Sequence, residues 1–312
     1  GIRFRPLLSG WRDPAVREVG RIFLPGIFSA GIYTINVTVS QIIATRLDPG
    51  SVSALQYSLR LQELVLGVFA VSVATVILPT MSQQAHRGDF AGLKESLRFS
   101  VALLAFITIP ASVGVMMLGE PLVRLLFQFG RFDAQSTDMT TFALYFHASG
   151  IFFIAMQRNV VQVFYSMKDL LTPTIVAAGV MVLHAVLCWV LARPVGLGLG
   201  GVALAGSVGA AVNAVVLYAL LRRRLGLLGT RRLAGSLART AAATVAMAMT
   251  VAVLVAGGVF KTSSRLHLAL LMIGTVLVAM GVYFAVARAL GSEELSEFTR
   301  LVGARLRRRR KK

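Results

Sequence analysis

The sequence predicts an all-α polytopic membrane protein, and three observations support that fold class. The 312 residues are 56% hydrophobic and only 14% charged, whereas a soluble domain carries about a quarter charged residues. The mean hydropathy is +0.75. Apolar runs longer than about 18 residues, the length that a helix needs to cross a bilayer, recur along the chain. These runs do not alternate polar and apolar residues, so we reject a transmembrane β-barrel.

Eight candidate crossings follow one another, at residues 22–45, 53–82, 98–118, 139–165, 171–192, 199–221, 239–259 and 266–288. Pro25 and Gly26 open the first crossing, and Pro79 and Pro110 interrupt the second and third. Bends are expected at these prolines because each removes a backbone hydrogen bond. The sixth crossing is rich in glycine and alanine, which favours close helix packing over a phosphate-binding loop.

The segment between the third and fourth crossings predicts a short helix. Residues 122–132 place Leu, Val and Phe side chains on one face and Arg124, Gln128 and Arg131 on another. This spacing is typical of an amphipathic helix at a membrane interface. An irregular loop lying on the bundle is the alternative.

The basic residues predict the orientation of the chain. When loops are assigned alternately to the two sides, 24 of the 32 Lys and Arg residues fall on the side that holds both ends. The positive-inside rule makes that side cytoplasmic. The net charge of +19 is therefore explained by topology and by an anionic inner leaflet around residues 290–312, and we expect no nucleic-acid partner. Because the chain begins with Gly1 and its first residues form no signal peptide, we expect the C-terminal part of a longer protein.

Charged and polar groups interrupt the second crossing. Gln56, Arg60, Glu63 and Gly67 are spaced so that they share one helical stripe. A charge in hydrocarbon costs several kcal/mol, so this stripe is expected to face a bundle interior or a water-filled cavity. Alternatives are an Arg60–Glu63 pair that serves packing only, and an Arg60 side chain that extends to the interface. Asn36 lies in the first crossing.

Other polar residues inside the crossings have plainer interpretations. Arg158 lies near the cytoplasmic end of its crossing and is expected to extend to the interface. His147 and His184 are more often hydrogen-bonded packing residues than proton carriers. Glu63 is the one acidic residue well inside a crossing, and no metal-binding or nucleophile motif is present. We therefore predict no enzyme, no catalytic residue, no metal site and no cofactor. A single cysteine, Cys188, excludes an intramolecular disulfide.

Three stretches resemble the MurJ (MviN) lipid II flippase family of the MOP transporter superfamily. They are SALQYSLRLQELVLGVFAVSVATVILPTMSQ at 53–83, GRFDAQST followed by ALYFHASGIFFIAMQRNVVQVFYSMKDLLTPT within 130–174, and GLGGVALAGSVGAAVNAVVLYALLRRRLG at 198–226. The resemblance runs over nearly the whole chain. Members have fourteen crossings, two six-helix lobes and two extra helices. The resemblance thus implies a cytoplasmic segment at 1–13, the second six-helix transporter lobe at 14–224, a linker and terminal two-helix unit at 225–289 and a basic cytoplasmic tail at 290–312. The N-terminal lobe would be missing.

The resemblance also implies a function and a site. Members move lipid II, an undecaprenyl diphosphate that carries a disaccharide-pentapeptide, across the bacterial cytoplasmic membrane for peptidoglycan synthesis. A cationic cavity between the lobes takes the headgroup, and the terminal helices form a groove for the lipid tail, so lipid II and membrane lipids are the expected partners. Arg60 falls on the cavity arginine of the family, and a guanidinium suits a diphosphate. Glu63, Gln56 and Asn36 are the other expected substrate-binding residues.

The chain departs from the family at two points. Members have proline where this chain has Val65 or Leu66, so the local bend is expected to differ. Some members bind sodium through Asn and Asp side chains one turn apart on the fifth crossing, where this chain has His184 and Cys188. These are poor sodium ligands, so we expect no sodium site and consider coupling through His184 instead.

Three other functions remain open at this stage. The chain could belong to an exporter of another lipid-linked glycan or of drugs in the same superfamily, although drug exporters typically have twelve crossings. It could also be a non-transporting membrane scaffold, which predicts that Arg60→Ala has no effect. A membrane glycosyltransferase is disfavoured because acidic catalytic groups are lacking.

Overall fold

The computed structural model describes Val16 and residues 31–262 and 264–296. Within these residues the chain is helical and contains no strand. The helices are α1 (Gly31–Ala44), α2 (Ser51–His86), α3 (Phe90–Met117), α4 (Gly119–Phe127), α5 (Ala134–Ser149), α6 (Ile151–Ser166), α7 (Leu171–Ala192), α8 (Gly198–Leu225), α9 (Thr230–Ala256) and α10 (Arg265–Ala289). The prediction of an all-α membrane fold is confirmed.

The spans agree with the predicted crossings in most places. Among the described residues, five helices are long and apolar enough to cross a membrane, namely α3, α7, α8, α9 and α10. The bent pair α5–α6 makes a sixth. α2 is a further helix of 36 residues that holds Arg60 and Glu63. Residues 22–30 of the first predicted crossing, with Pro25 and Gly26, lie outside the described residues, as do residues 1–13 and most of the basic tail.

The fourth predicted crossing, 139–165, is two helices rather than one continuous helix. α5 and α6 meet at Gly150 with a bend of 43°. A Cβ atom at Gly150 would lie 2.8 Å from Ser207 Cβ and 2.9 Å from Ser207 Cα. Glycine therefore lets the bend approach the backbone of α8, and the Ser207 hydroxyl donates to the carbonyl of Phe146 at 2.6 Å.

Small residues let α7 and α8 pack closely, as the glycine-rich sixth crossing predicted. A Cβ atom at Gly201 would lie 2.5 Å from the carbonyl carbon of Leu191. Ala203, Ala205 and Cys188 are fully buried in the same contact region. A larger apolar cluster lies on α2, α3, α6 and α8 around Phe164, Leu97, Leu217 and Leu221.

The pair α9–α10 packs against α3 through a separate cluster. Phe106, Met247, Met272 and Tyr283 are buried in this cluster, and the rings of Phe106 and Tyr283 lie 5.1 Å apart. The Tyr283 hydroxyl donates to the carbonyl of Phe106 at 2.6 Å. That carbonyl has no N–H partner four residues along its own helix, because the position is Pro110.

The predicted amphipathic helix at 122–132 is present but shifted. α4 begins at Gly119 and ends at Phe127, so residues 128–132 are outside it. Arg124 of α4 donates to the carbonyls of Phe260 and Thr262 in the α9–α10 loop. Arg265, at the start of α10, donates to the carbonyl of Gln128, directly after α4. The two guanidinium groups thus join α4 to the terminal pair, and we call this contact the arginine clasp.

Candidate binding cavity

A cavity of about 340 Å³, lined by both apolar and polar side chains, lies among α1, α2, α5, α6, α7 and α8. Each of these helices contributes at least one polar side chain. The polar lining residues are Tyr33, Asn36, Ser40 and Gln41 of α1, Gln56, Gln62 and Glu63 of α2, His147 of α5, Gln157 and Arg158 of α6, His184 of α7 and Asn213 of α8. Such a concentration of polar groups among apolar helices is typical of a substrate or ion pathway.

The structure brings four of the five predicted site residues to this cavity. Gln56, Glu63, Asn36 and His184 line it.

Arg60 does not line the cavity. Its side chain is 75% exposed, and its Nη1 lies 4.0 Å from Glu63 Oε2. The lining residues of α2 include Leu59, Gln62 and Leu66, so the face that meets the cavity is centred on them and Arg60 falls at its edge. The stripe inferred from spacing was therefore rotated relative to the true cavity face. The guanidinium of Arg60 contacts the cavity lining through Glu63.

Glu63 stands at the open side of the cavity. Its side chain is 37% exposed, and its Oε1 accepts a hydrogen bond from the Tyr33 hydroxyl at 2.9 Å. Arg158 also lines the cavity although the residue as a whole is exposed. We call Glu63, Tyr33 and Arg158 the mouth of the cavity.

Arg158, which was not among the predicted site residues, lines the cavity beside Gln157 and Ile154. The residue is exposed, so its extension to the membrane interface stays a prediction. The sequence contains a signal for this position. Arg158 lies one helical turn after Ile154 and beside Gln157, so this face of α6 changes from apolar to polar along the helix.

On the deep side of the cavity, the titratable side chains among the lining residues are the imidazoles of His147 and His184. The Ser40 hydroxyl lies 3.2 Å from His184 Nε2, and the Cys188 sulfur lies 3.4 Å from the same nitrogen. His147 Nδ1 lies 2.9 Å from the Ser58 hydroxyl. Both histidines thus have hydrogen-bond partners, which agrees with the packing interpretation.

No group of three or more His, Cys, Asp or Glu residues that could hold a metal ion occurs among the described residues. Glu63 is the one carboxylate among the lining residues, and it lies at the mouth. His184 and Cys188 contact each other and Ser40.

Comparison with known proteins gives the family. A family model described as lipid II flippase MurJ matches residues 1–280. The chain belongs to the MurJ family. A probable lipid II flippase MurJ of Bdellovibrio bacteriovorus is 32% identical over 292 residues, which are 92% of this chain and 54% of that protein. The chain spans about half the length of the MurJ relatives that it matches.

Solved structures share the fold. A lipid II flippase MurJ in an inward closed conformation matches with a TM-score of 0.69 at 22% identity, over 92% of this chain and 57% of that one. An outward-facing multidrug resistance MATE family transporter of the MOP superfamily matches with a TM-score of 0.59 at 14% identity, over 89% and 66%. This MurJ family chain is therefore a multi-pass helical membrane protein with the fold of MOP superfamily transporters.

Proposed function

We propose that this chain works in a protein that moves lipid II across the cytoplasmic membrane by alternating access. The observation that carries the proposal is the cavity, which places Arg158 and Glu63 among membrane-spanning helices with Arg60 beside them. A lipid-linked diphosphate needs cationic partners, and arginine presents several donors to phosphate oxygens. Membership of the MurJ family supports lipid II as the substrate.

The arrangement of the chain in the protein follows from the same proposal. Residues 14–224 form the second six-helix lobe, 225–289 the linker and terminal pair, and 290–312 a basic tail, with eight crossings and both ends cytoplasmic. A second, N-terminal lobe faces the mouth of the cavity. The length of the matched relatives supports such a lobe, and so does the 75% exposed side chain of Arg60, which is costly in contact with acyl chains.

The roles of individual residues follow from their positions. Arg60 and Arg158 bind the diphosphate, while Glu63 holds the guanidinium groups in place when the substrate is absent. Gln56 and Asn36 offer hydrogen bonds to the headgroup. His184, in contact with Ser40, is the candidate for coupling transport to the proton gradient. A His184→Ala variant with full transport at every pH would remove this last role.

The test is growth of a bacterium whose lipid II flippase has been depleted and replaced by the full-length form of this protein. Arg158→Ala and Arg60→Ala are compared with Arg193→Ala, an exposed arginine in the α7–α8 loop that lies away from the cavity. Losing one charged hydrogen bond of about 1.5–3 kcal/mol corresponds to roughly a 10- to 100-fold loss of transport. We expect growth to fail with Arg158→Ala and with Arg60→Ala and to be normal with the control.

Two results would contradict the proposal. Growth of Arg158→Ala, Arg60→Ala and their double variant at the control rate would favour a non-transporting scaffold. Wild-type protein that leaves lipid II on the inner leaflet but exports a different lipid-linked glycan or a drug would assign the chain to another exporter of the superfamily. Lipid II exposure on the outer leaflet, measured in the same strains, separates these outcomes.

A further inference from the structure

Three successive carbonyls at the end of α5, just before Gly150, accept hydrogen bonds from side chains of three other helices. A helix that stays straight would instead direct each of these carbonyls to an N–H group four residues later. In the bent form the three pairs, donor first, are Ser207 with Phe146, Gln62 with His147 and Ser112 with Ala148. The donors are all buried. The bent form therefore depends on contacts with α8, α2 and α3.

The two serine donors differ from other serines of the helices. Ser58, Ser100 and Ser166 each donate to the carbonyl three residues earlier in their own helix. Such a bond is available to a helical serine in general. Ser112 and Ser207 instead reach across to α5. Each of them therefore has a second possible acceptor, within its own helix, if the break in α5–α6 closes.

The third donor and the carbonyls have alternatives as well. Gln62 lines the cavity, so its amide can turn towards the cavity when it leaves the carbonyl of His147. The carbonyls regain N–H partners from their own chain in a straight helix. Ser149 and Gly150 form the kind of pair at which helices bend. Because neither form leaves these buried polar groups unpaired, the break has the balance that a hinge requires.

The helix α6 is the moving arm of such a hinge. It carries Arg158 on the cavity lining. Arg158 lies eight residues beyond Gly150, which is about 12 Å along a helix. Loss of the 43° bend would shift this position by about 9 Å relative to α5. Gln62 is adjacent to Glu63, so α2 contacts both the break and the mouth of the cavity.

From these contacts we infer that the α5–α6 break is a hinge that alternates between the bent form and a straighter one, with Ser112, Ser207 and Gln62 holding the bent form. The two forms follow from the contacts at the break, whereas their use in the transport cycle rests on the proposed function. The three donors are positioning residues, because they act on Arg158 only through the angle between α5 and α6.

The angle is measured as the distance between spin labels on the two arms. Asp138→Cys and Tyr165→Cys place the labels at exposed positions of α5 and α6. The labels are carried by full-length protein in nanodiscs, with Cys188→Ala and any other native cysteine replaced. Straightening lengthens the separation of the two labelled positions by about 3 Å, from the 43° bend and the helical rise.

Two variants disturb the bent form in different ways, and each has a matched control. Ser112→Ala removes a donor that lies outside the cavity lining. Its control is Thr244→Ala, which removes a buried hydroxyl that bonds within its own helix, α9. Gly150→Ala adds a methyl group that meets Ser207 in the bent form, whereas its control Gly114→Ala adds one that meets no atom within 4 Å. Thermal unfolding in the same nanodiscs identifies any variant that fails to fold.

We expect a main population at the shorter distance in the wild type and a minor one about 3 Å longer. Ser112→Ala should raise the ratio of long to short distances by about 3- to 15-fold, the range that an interhelical hydrogen bond in a membrane supplies. Gly150→Ala should raise it too, and the two controls should leave it unchanged.

One distance in the wild type that persists in folded Ser112→Ala and Gly150→Ala would show a fixed kink and overturn the inference. It would leave the proposed function intact, since lipid II exposure on the outer leaflet is measured separately. Two distances in a labelled wild-type protein that leaves lipid II on the inner leaflet would keep the hinge and overturn the proposed function.

Discussion

Tyr283 is predicted to compensate for the proline in α3. Its hydroxyl donates to the carbonyl of Phe106 at 2.6 Å in a buried contact, and Pro110 deprives that carbonyl of its helical partner. Tyr283→Phe keeps the ring and removes the donor, so a buried acceptor is left unpaired. The expected cost is about 1–2 kcal/mol, since interhelical hydrogen bonds in membranes reach at most roughly 1.7 kcal/mol.

A double-mutant cycle isolates this effect. Pro110→Ala supplies the missing N–H, so Tyr283→Phe should cost much less in that background than in the wild type. The free energy of unfolding is measured by titration with a denaturing detergent in micelles. Tyr165→Phe, at a partly exposed tyrosine of α6, serves as the control for loss of a hydroxyl. An equal cost of Tyr283→Phe in both backgrounds would refute the reasoning.

Two further predictions concern the joints between helices. Burial raises the pKa of the Asp169 carboxyl, but hydrogen bonds from the Thr172 N–H at 3.0 Å and hydroxyl at 2.7 Å, and from Arg224, hold that pKa below its ordinary value. The stabilisation is therefore present above about pH 4 and lost as pH falls through the lowered pKa. Asp169→Asn should destabilise the protein at pH 6 in unfolding titrations, and its difference from wild type should shrink as pH falls through that lowered pKa. Parallel curves would contradict this. Gly150→Ala should lower the free energy of unfolding by about 1–3 kcal/mol, because the added methyl group meets Ser207. Gly114→Ala is the control and should change the free energy of unfolding very little, since a Cβ atom there meets no atom within 4 Å. Equal effects of the two substitutions would argue against close packing at the bend.

Hydrophobic length predicted most of the fold, because a bilayer imposes a simple rule on segment length. α7 begins and ends exactly where the apolar run does, at Leu171 and Ala192. The break at Gly150 was not predicted. Ser149 and Gly150 form a pair at which helices can kink, but glycine is also common in straight membrane helices, and the approach of Ser207 from a distant helix is not visible in the sequence. The predicted start of α9, residue 239, was also too late in the chain. The helix begins at Thr230, within a polar stretch that hydrophobic length does not detect.

The site was predictable by residue type but not by orientation. Spacing correctly placed Gln56 and Glu63 on one face, because helical geometry is local. The rotation of that face, which leaves Arg60 at its edge, depends on how α2 packs against its neighbours. Arg158 was not predicted as a lining residue for a similar reason, because its position near the end of a crossing does not show which helices pack beside it.

The arginine clasp has a mechanical consequence. Arg124 donates to backbone carbonyls of the α9–α10 loop, while Arg265 donates to the backbone carbonyl of Gln128, directly after α4. Because each segment donates hydrogen bonds to the backbone of the other, the two segments cannot separate unless both sets of hydrogen bonds break. A movement of α4 would therefore carry the α9–α10 loop with it, and the exposed apolar side chains of α9 and α10 would move together with that loop.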